Sequence, residues 1–109
     1  MNKIEIMGRM VKDIELKKGK NDNTYGVFTL AVNRKENKEI TDFVDCVAFG
    51  KLAEVIKEYT EKGNRLIVTG SLHFDKYVDK EGNQKTSVNV IVDDFFFVDF
   101  KVKKDEKPF

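Results

Sequence analysis

The chain has 109 residues, the length of one domain with room for a single modest core. Its 40% hydrophobic and 36% charged content with a net charge of +1 is ordinary for a globular protein. That balance neither marks nor excludes a nucleic-acid binder. A lone cysteine excludes an internal disulfide and a lone histidine leaves no zinc-ligand spacing, while the absence of a long apolar run or signal-peptide pattern makes an intracellular protein the expectation.

In chain order, "NKIEIMGRM" (2–10) alternates, with Ile4 and Ile6 on one side, and reaches Gly8, where a bulge or bend is expected. "KKGKNDN" (17–23) is polar and rich in Gly and Asn, the composition of a loop. "YGVFTLAVNR" (25–34) is a strand with Phe28, Leu30 and Val32 on one face. A charged loop at 35–41 leads into the strand of "TDFVDCVAFG" (41–50). Alternation there puts Val44, Cys46 and Ala48 on a small apolar side, and Phe43, Asp45, Val47 and Phe49 on the other. A carboxylate between two phenyl rings is costly to bury, so the second side is expected to be wet.

The period then changes. In "GKLAEVIKEYTEKGN" (50–64), Leu52, Val55, Ile56 and Tyr59 form the stripe of an amphipathic helix of about three turns, with Gly63 and Asn64 as candidate caps. A strand follows from Arg65, with a sharp bend expected at Gly70. "VDKEGNQK" (78–85) carries hairpin-turn residues, and "TSVNVIVDDFFFV" (86–98) is the last strand. Three strands, one helix and two strands is the layout of an all-β, five-stranded Greek-key OB barrel with its helix between the third and fourth strands. Other small folds share that order.

The residues also resemble the bacterial and phage single-stranded DNA-binding proteins, the SSB family, over nearly the whole chain. "IMGRMVKDIELK" (6–17) is similar to the family's opening strand, Gly-Arg turn and Asp-x-Glu segment, and "FTLAVNR" (28–34) to its second strand. The most specific part is 41–72, "TDFVDCVAFGKLAEVIKEYTEKGNRLIVTGSL", and "KYVDKEGNQK" (76–85) looks like the family's hairpin. The resemblance implies an OB domain over 1–100 that binds single-stranded DNA during replication, repair or recombination, by stacking bases on outer-face rings. Phe43, Phe49 and Tyr77 occupy the matching positions. Candidate phosphate contacts are Arg9, Arg34, Lys35, Lys51, Lys62, Lys76 and Lys85. The resemblance also implies a homo-oligomer, a tetramer more than a dimer, with first strands pairing across an interface.

Three departures stand out. The segment after "LAVNR" is "KENKE", where the family often has another aromatic. Asp45 stands where some members have a basic residue. The tail 101–109, "KVKKDEKPF", lacks the family's long linker yet keeps Pro108 and Phe109 behind Asp105 and Glu106, the resemblance's candidate site for recruiting replication and repair proteins. An adaptor of the primosomal type, bridging proteins at a fork, is the alternative function. An enzyme is not expected, since no cluster of carboxylates with a basic stabiliser and no phosphate-cradling Gly-rich motif is present, and no cofactor is implied. His73 reads as a strand surface residue, Asp93 and Asp94 as a turn or sheet-edge feature, and some of Phe95, Phe96, Phe97 and Phe100 as core or interface.

Overall fold

A computed structural model describes residues 1–100. Six strands and one helix follow one another as β1 (Ile4–Met10), β2 (Glu15–Lys18), β3 (Thr24–Asn33), β4 (Thr41–Phe49), α1 (Lys51–Tyr59), β5 (Arg65–Val78) and β6 (Gln84–Phe97). They hydrogen-bond in the order β1-β5-β6-β4-β3-β2, and a second pairing of β1 with β3 closes five of them into a barrel. All contacts are antiparallel except β4 with β6, which run parallel through Cys46↔Val90 and Val47↔Ile91. The expected Greek-key barrel is present, with the helix between its third and fourth staves. β2 is an additional edge strand whose last two residues, Lys17 and Lys18, fall in the expected loop 17–23, and among the described residues it pairs only with β3.

The barrel interior is what the alternation calls for. Phe28, Leu30, Cys46, Ala48, Leu66, Val68, Val90 and Val92 are buried on the inward sides of their strands. Val32 and Val44 pack against that cluster from the partly buried rim. α1 plugs one end of the barrel with Ala53 and Ile56, while Leu52, Val55 and Tyr59 are half-buried. It contains the whole predicted stripe and ends at Tyr59, short of the candidate caps Gly63 and Asn64: Thr60 leaves helical geometry and its hydroxyl donates to the Ile56 carbonyl at 2.6 Å.

Gly8 makes no bulge; it sits in regular register opposite Leu66. A Cβ there would lie 2.8 Å from Leu30 Cβ, so the absent side chain lets β1 cross closely over β3 and close the barrel. Gly70 does mark an irregularity. Thr69 pairs with Asp94 and Gly70 with Val92, leaving Asp93 as the extra residue of a β-bulge. A Cβ on Gly70 would overlap the Ile91 carbonyl oxygen. Beyond the bulge, Phe95 and Phe97 turn inward against the core and Phe96 is exposed.

The β5–β6 hairpin outruns the barrel. From His73 to Val78, and back along most of 84–88, its side chains are exposed. The turn is closed by Asp79, whose Oδ1 accepts from the amides of Glu81 and Asn83.

Candidate nucleic-acid interface

The wet side of β4 is wet. Phe43 is 67% and Phe49 53% exposed, and between them the Asp45 carboxylate is also exposed, accepting a hydrogen bond from the Thr29 hydroxyl at 2.8 Å. Behind this face, Cys46 is buried, and burial, followed by the neighbouring Asp45 charge, pushes its thiol pKa up to about 12. That sulfur stays protonated and inert, a small core hydrophobe as its strand position predicts.

Strand register shows which side chains share the face. β3 places Tyr25 opposite Phe49, Val27 opposite Val47, Thr29 opposite Asp45 and Ala31 opposite Phe43. The parallel joint sets Val47 beside Ile91, and Ile91 pairs with Ser71. Counting by twos from Ser71 along β5 reaches His73, Asp75 and Tyr77, and Tyr77 pairs with Lys85. Phe43, Phe49 and Tyr77 therefore lie on one continuous outer face. Because β4 and β6 are parallel, Phe43 lies toward the hairpin tip and Phe49 toward the helix end. Phe43 and Phe49 are six residues apart, about 20 Å along the strand at roughly 3.3 Å per residue. The result is a path with separated ring stations rather than a closed pocket.

The candidate cations are distributed unevenly. Lys85 shares the face with Tyr77. Arg9 stands in a row with Ala31 and Phe43, on the barrel seam, its guanidinium donating to the Gly63 carbonyl at 2.7 Å. Lys62 is on the same loop as Gly63, its amide held by Asp13 at 2.7 Å. Arg34 forms a bidentate pair with Asp42 at 3.0 and 3.1 Å, which offsets its charge locally while both groups stay solvated. Lys35 lies in the turn that follows, and Lys51 begins α1 just beyond Phe49. Lys76 is one residue from Tyr77 and so points to the opposite side of the hairpin, with Phe74. The structure does not bring it to the face.

Two further groups reach the face without a local signal in the sequence. Tyr25 is one residue of a strand pattern in the sequence, yet its ring lies 6.2 Å from that of Phe49, tilted by 39°. Arg65 pairs with Arg9 across β1–β5 and continues the row that leads to Phe43. Its guanidinium is held by Asp99 at 2.9 and 3.1 Å, and the Arg65 amide donates to the same carboxylate at 3.0 Å. These bonds lower the Asp99 pKa to about 2, the side-chain bond from Arg65 being the larger cause. His73 is an exposed strand residue 3.1 Å from the Ser71 hydroxyl, and no group of His, Cys, Asp and Glu among the described residues could hold a metal. No described helix is long and apolar enough to cross a membrane. Asp105, Glu106, Pro108 and Phe109 lie outside the described residues.

A closed Greek-key barrel with unpacked rings along one outer face defines an OB-fold binding module. The family model described as the single-strand binding protein family matches residues 1–98, and the chain belongs to that family. A single-stranded DNA-binding protein of Clostridium perfringens is 40% identical over 91% of this chain and 67% of its own length. That of Staphylococcus epidermidis is 38% identical over 99% of this chain and 84% of its own. Among solved structures, a Plasmodium falciparum SSB complex with single-stranded DNA superposes with a TM-score of 0.80 at 27% identity, covering 91% of this chain and 96% of that one.

Proposed function

We propose that this protein binds single-stranded DNA with little regard to sequence, laying the strand along the outer face of β3, β4, β6 and β5. The carrying observation is that Phe43, Phe49 and Tyr77 share that face while remaining at least half exposed. Every base has a π-face, so rings stationed along a path hold any sequence, and each stack is worth about 1–3 kcal/mol by alanine substitution. A duplex hides those faces inside its own stack. Lys85, Arg9, Lys51, Lys35, Lys62 and Arg34 flank the path as phosphate contacts, whereas Lys76 acts only if the strand passes around the hairpin. In this reading the protein coats exposed strands during replication, repair or recombination, and 101–109 recruits partner proteins through Pro108 and Phe109.

A homo-oligomer, tetramer before dimer, fits two surface features. Residues 4–9 of β1 pair with β5 on one side, and only Arg9 and Met10 pair with β3 on the other, which leaves the edge of residues 4–8 open among the described residues. Beside that edge, Met7, Ile67 and Phe96 form an apolar row across three strands, with Met7 and Phe96 exposed. The decisive experiment is titration with labelled oligo-dT and with duplex of equal length, with and without Mg²⁺, alongside a solution mass. Tight binding to oligo-dT, weak binding to duplex and intact DNA are expected; equal affinities or metal-dependent cleavage would overturn the proposal.

A further inference from the structure

We propose that the outer face carries a second kind of base site, a concave pocket between Tyr25 and Phe49 that takes one nucleobase edge-in, with Lys20 at its mouth for the attached phosphate. This rests on the single-stranded DNA reading above and adds to it a residue, Tyr25, and a geometry that the flat stations at Phe43 and Tyr77 lack.

The pocket is built by register. Tyr25 and Phe49 are directly opposed across β3 and β4, and the bond from the Gly50 amide to the Thr24 carbonyl, 2.8 Å, ties the two strand ends together. With centroids 6.2 Å apart and a 39° tilt, the rings neither stack on each other nor meet edge to face; they open a wedge. Gly19, Lys20, Asn23 and Val47 complete a cavity of about 330 Å³, at the small end of the roughly 300–1,000 Å³ usual for ligand sites. Apart from Lys20 and Asn23, the side chains lining it are apolar or aromatic. Such a lining suits a flat π-system inside and an anion outside, which is the division between a base and its phosphate.

The wall is pinned. Asn21 and Asp22 both hold left-handed φ values, 60° and 59°, and the Gly19 amide donates to the Asn23 carbonyl at 2.8 Å. Two consecutive non-glycine residues in that conformation are uphill, and the exposed turn gains no buried side chain in return. What the turn does accomplish is to hold Gly19 and Lys20 beside Tyr25. Lys17, which pairs with Tyr25 across the sheet, adds positive charge on the same side, against Asp22 alone in 17–23.

The chain has no tryptophan and three tyrosines, so its ultraviolet emission reports on Tyr25, Tyr59 and Tyr77 alone. Tyr59 packs edge-on against Phe97, away from the face. The test uses the full chain with oligo-dT, following binding by anisotropy of the labelled oligomer and stacking by tyrosine quenching. In Tyr77→Phe, saturation with oligo-dT should still quench emission, and adding Tyr25→Phe should remove that quench. Tyr25→Ala should weaken binding about 10-fold, one ring's contribution at the low end of the 1–3 kcal/mol scale, with an unchanged circular dichroism spectrum. An unquenched but saturated Tyr77→Phe protein overturns the pocket, as does a folded Tyr25→Ala with wild-type affinity when Phe43→Ala is weakened. Failure of the wild-type chain to bind oligo-dT would instead remove the functional reading beneath it.

Discussion

The two halves of the β5–β6 hairpin obey the same pairing rules and have opposite fates. In the barrel half, Leu66, Val68, Val90 and Val92 are buried under the other staves. In the outer half, Phe74 is 65% exposed and Tyr77 50%, and Val78 and Val88 are exposed as well, although their pairing continues unbroken to Val78↔Gln84. Backbone ladders make strands; only a second layer makes a core. A two-stranded ribbon without cover adds little stability of its own. Apolar residues on it are therefore available for contact, and the barrel half supplies the rigidity against which they act.

The comparison breaks most visibly in a stability experiment. Leu66→Ala should destabilise the fold by about 2–5 kcal/mol, the range for truncating a fully buried leucine, whereas Phe74→Ala should stay within about 0.5 kcal/mol as an exposed substitution. Urea denaturation of both variants checks this; similar losses in the two would mean that the ribbon is covered in solution.

Binding separates the regions next. Phe43→Ala and Phe49→Ala should each weaken oligo-dT binding by about 1–3 kcal/mol with little change in the urea midpoint, since both rings face solvent. A variant that loses stability without losing affinity per folded molecule would place its ring in packing instead. On the arm, Lys85→Gln should reduce the log–log salt slope by about 0.7, one phosphate contact on a single strand. Lys76→Gln, on the reverse side, should change it less. Equal slopes for the two would show the strand touching both sides of the ribbon.

The smallest effect concerns the barrel rim. Asp99 has a folded pKa of about 2, below its unfolded value. Its bond to Arg65 therefore contributes fully above the unfolded carboxylate range, near pH 4. That contribution is lost as pH falls toward 2. An NMR titration of the Asp99 carboxyl should give a midpoint near 2, and Arg65→Gln should move it upward.

Much of this was legible because burial and periodicity coincide in the middle of the chain. Alternation in 41–49 sorts Phe43 and Phe49 from Cys46 and Ala48, and the switch of period at Lys51 marks the helix. β2 escaped because Glu15–Lys18 is exposed throughout and owes its conformation to backbone pairing with β3, leaving no apolar alternation to read. Tyr25 escaped for a related reason: its value lies in what stands opposite, and a partner 24 positions away in the chain is set by register rather than local pattern. Val88 shows the converse, sharing a face with Val90 and Val92 as alternation predicts yet lying on the exposed ribbon.

The bulge at Asp93 gives chain length a meaning at that point. Before it, even-numbered residues of β6 face inward, Val90 and Val92; after it, odd-numbered ones do, Phe95 and Phe97. The extra residue works as a phase shift, and three consecutive phenylalanines carry no record of which phase applies. Removing Asp93 would delete the bulge and let the strand alternate plainly from Val92 to Phe97 with the same residues inward, whereas flattening the bulge with Asp93 kept, so that Asp93 paired with Thr69, would exchange the sidedness of everything from Asp94 to Phe97, sending Phe96 into the interior and its two neighbours out. One residue drawn into the ladder instead of bulged out of it would here act as an inversion.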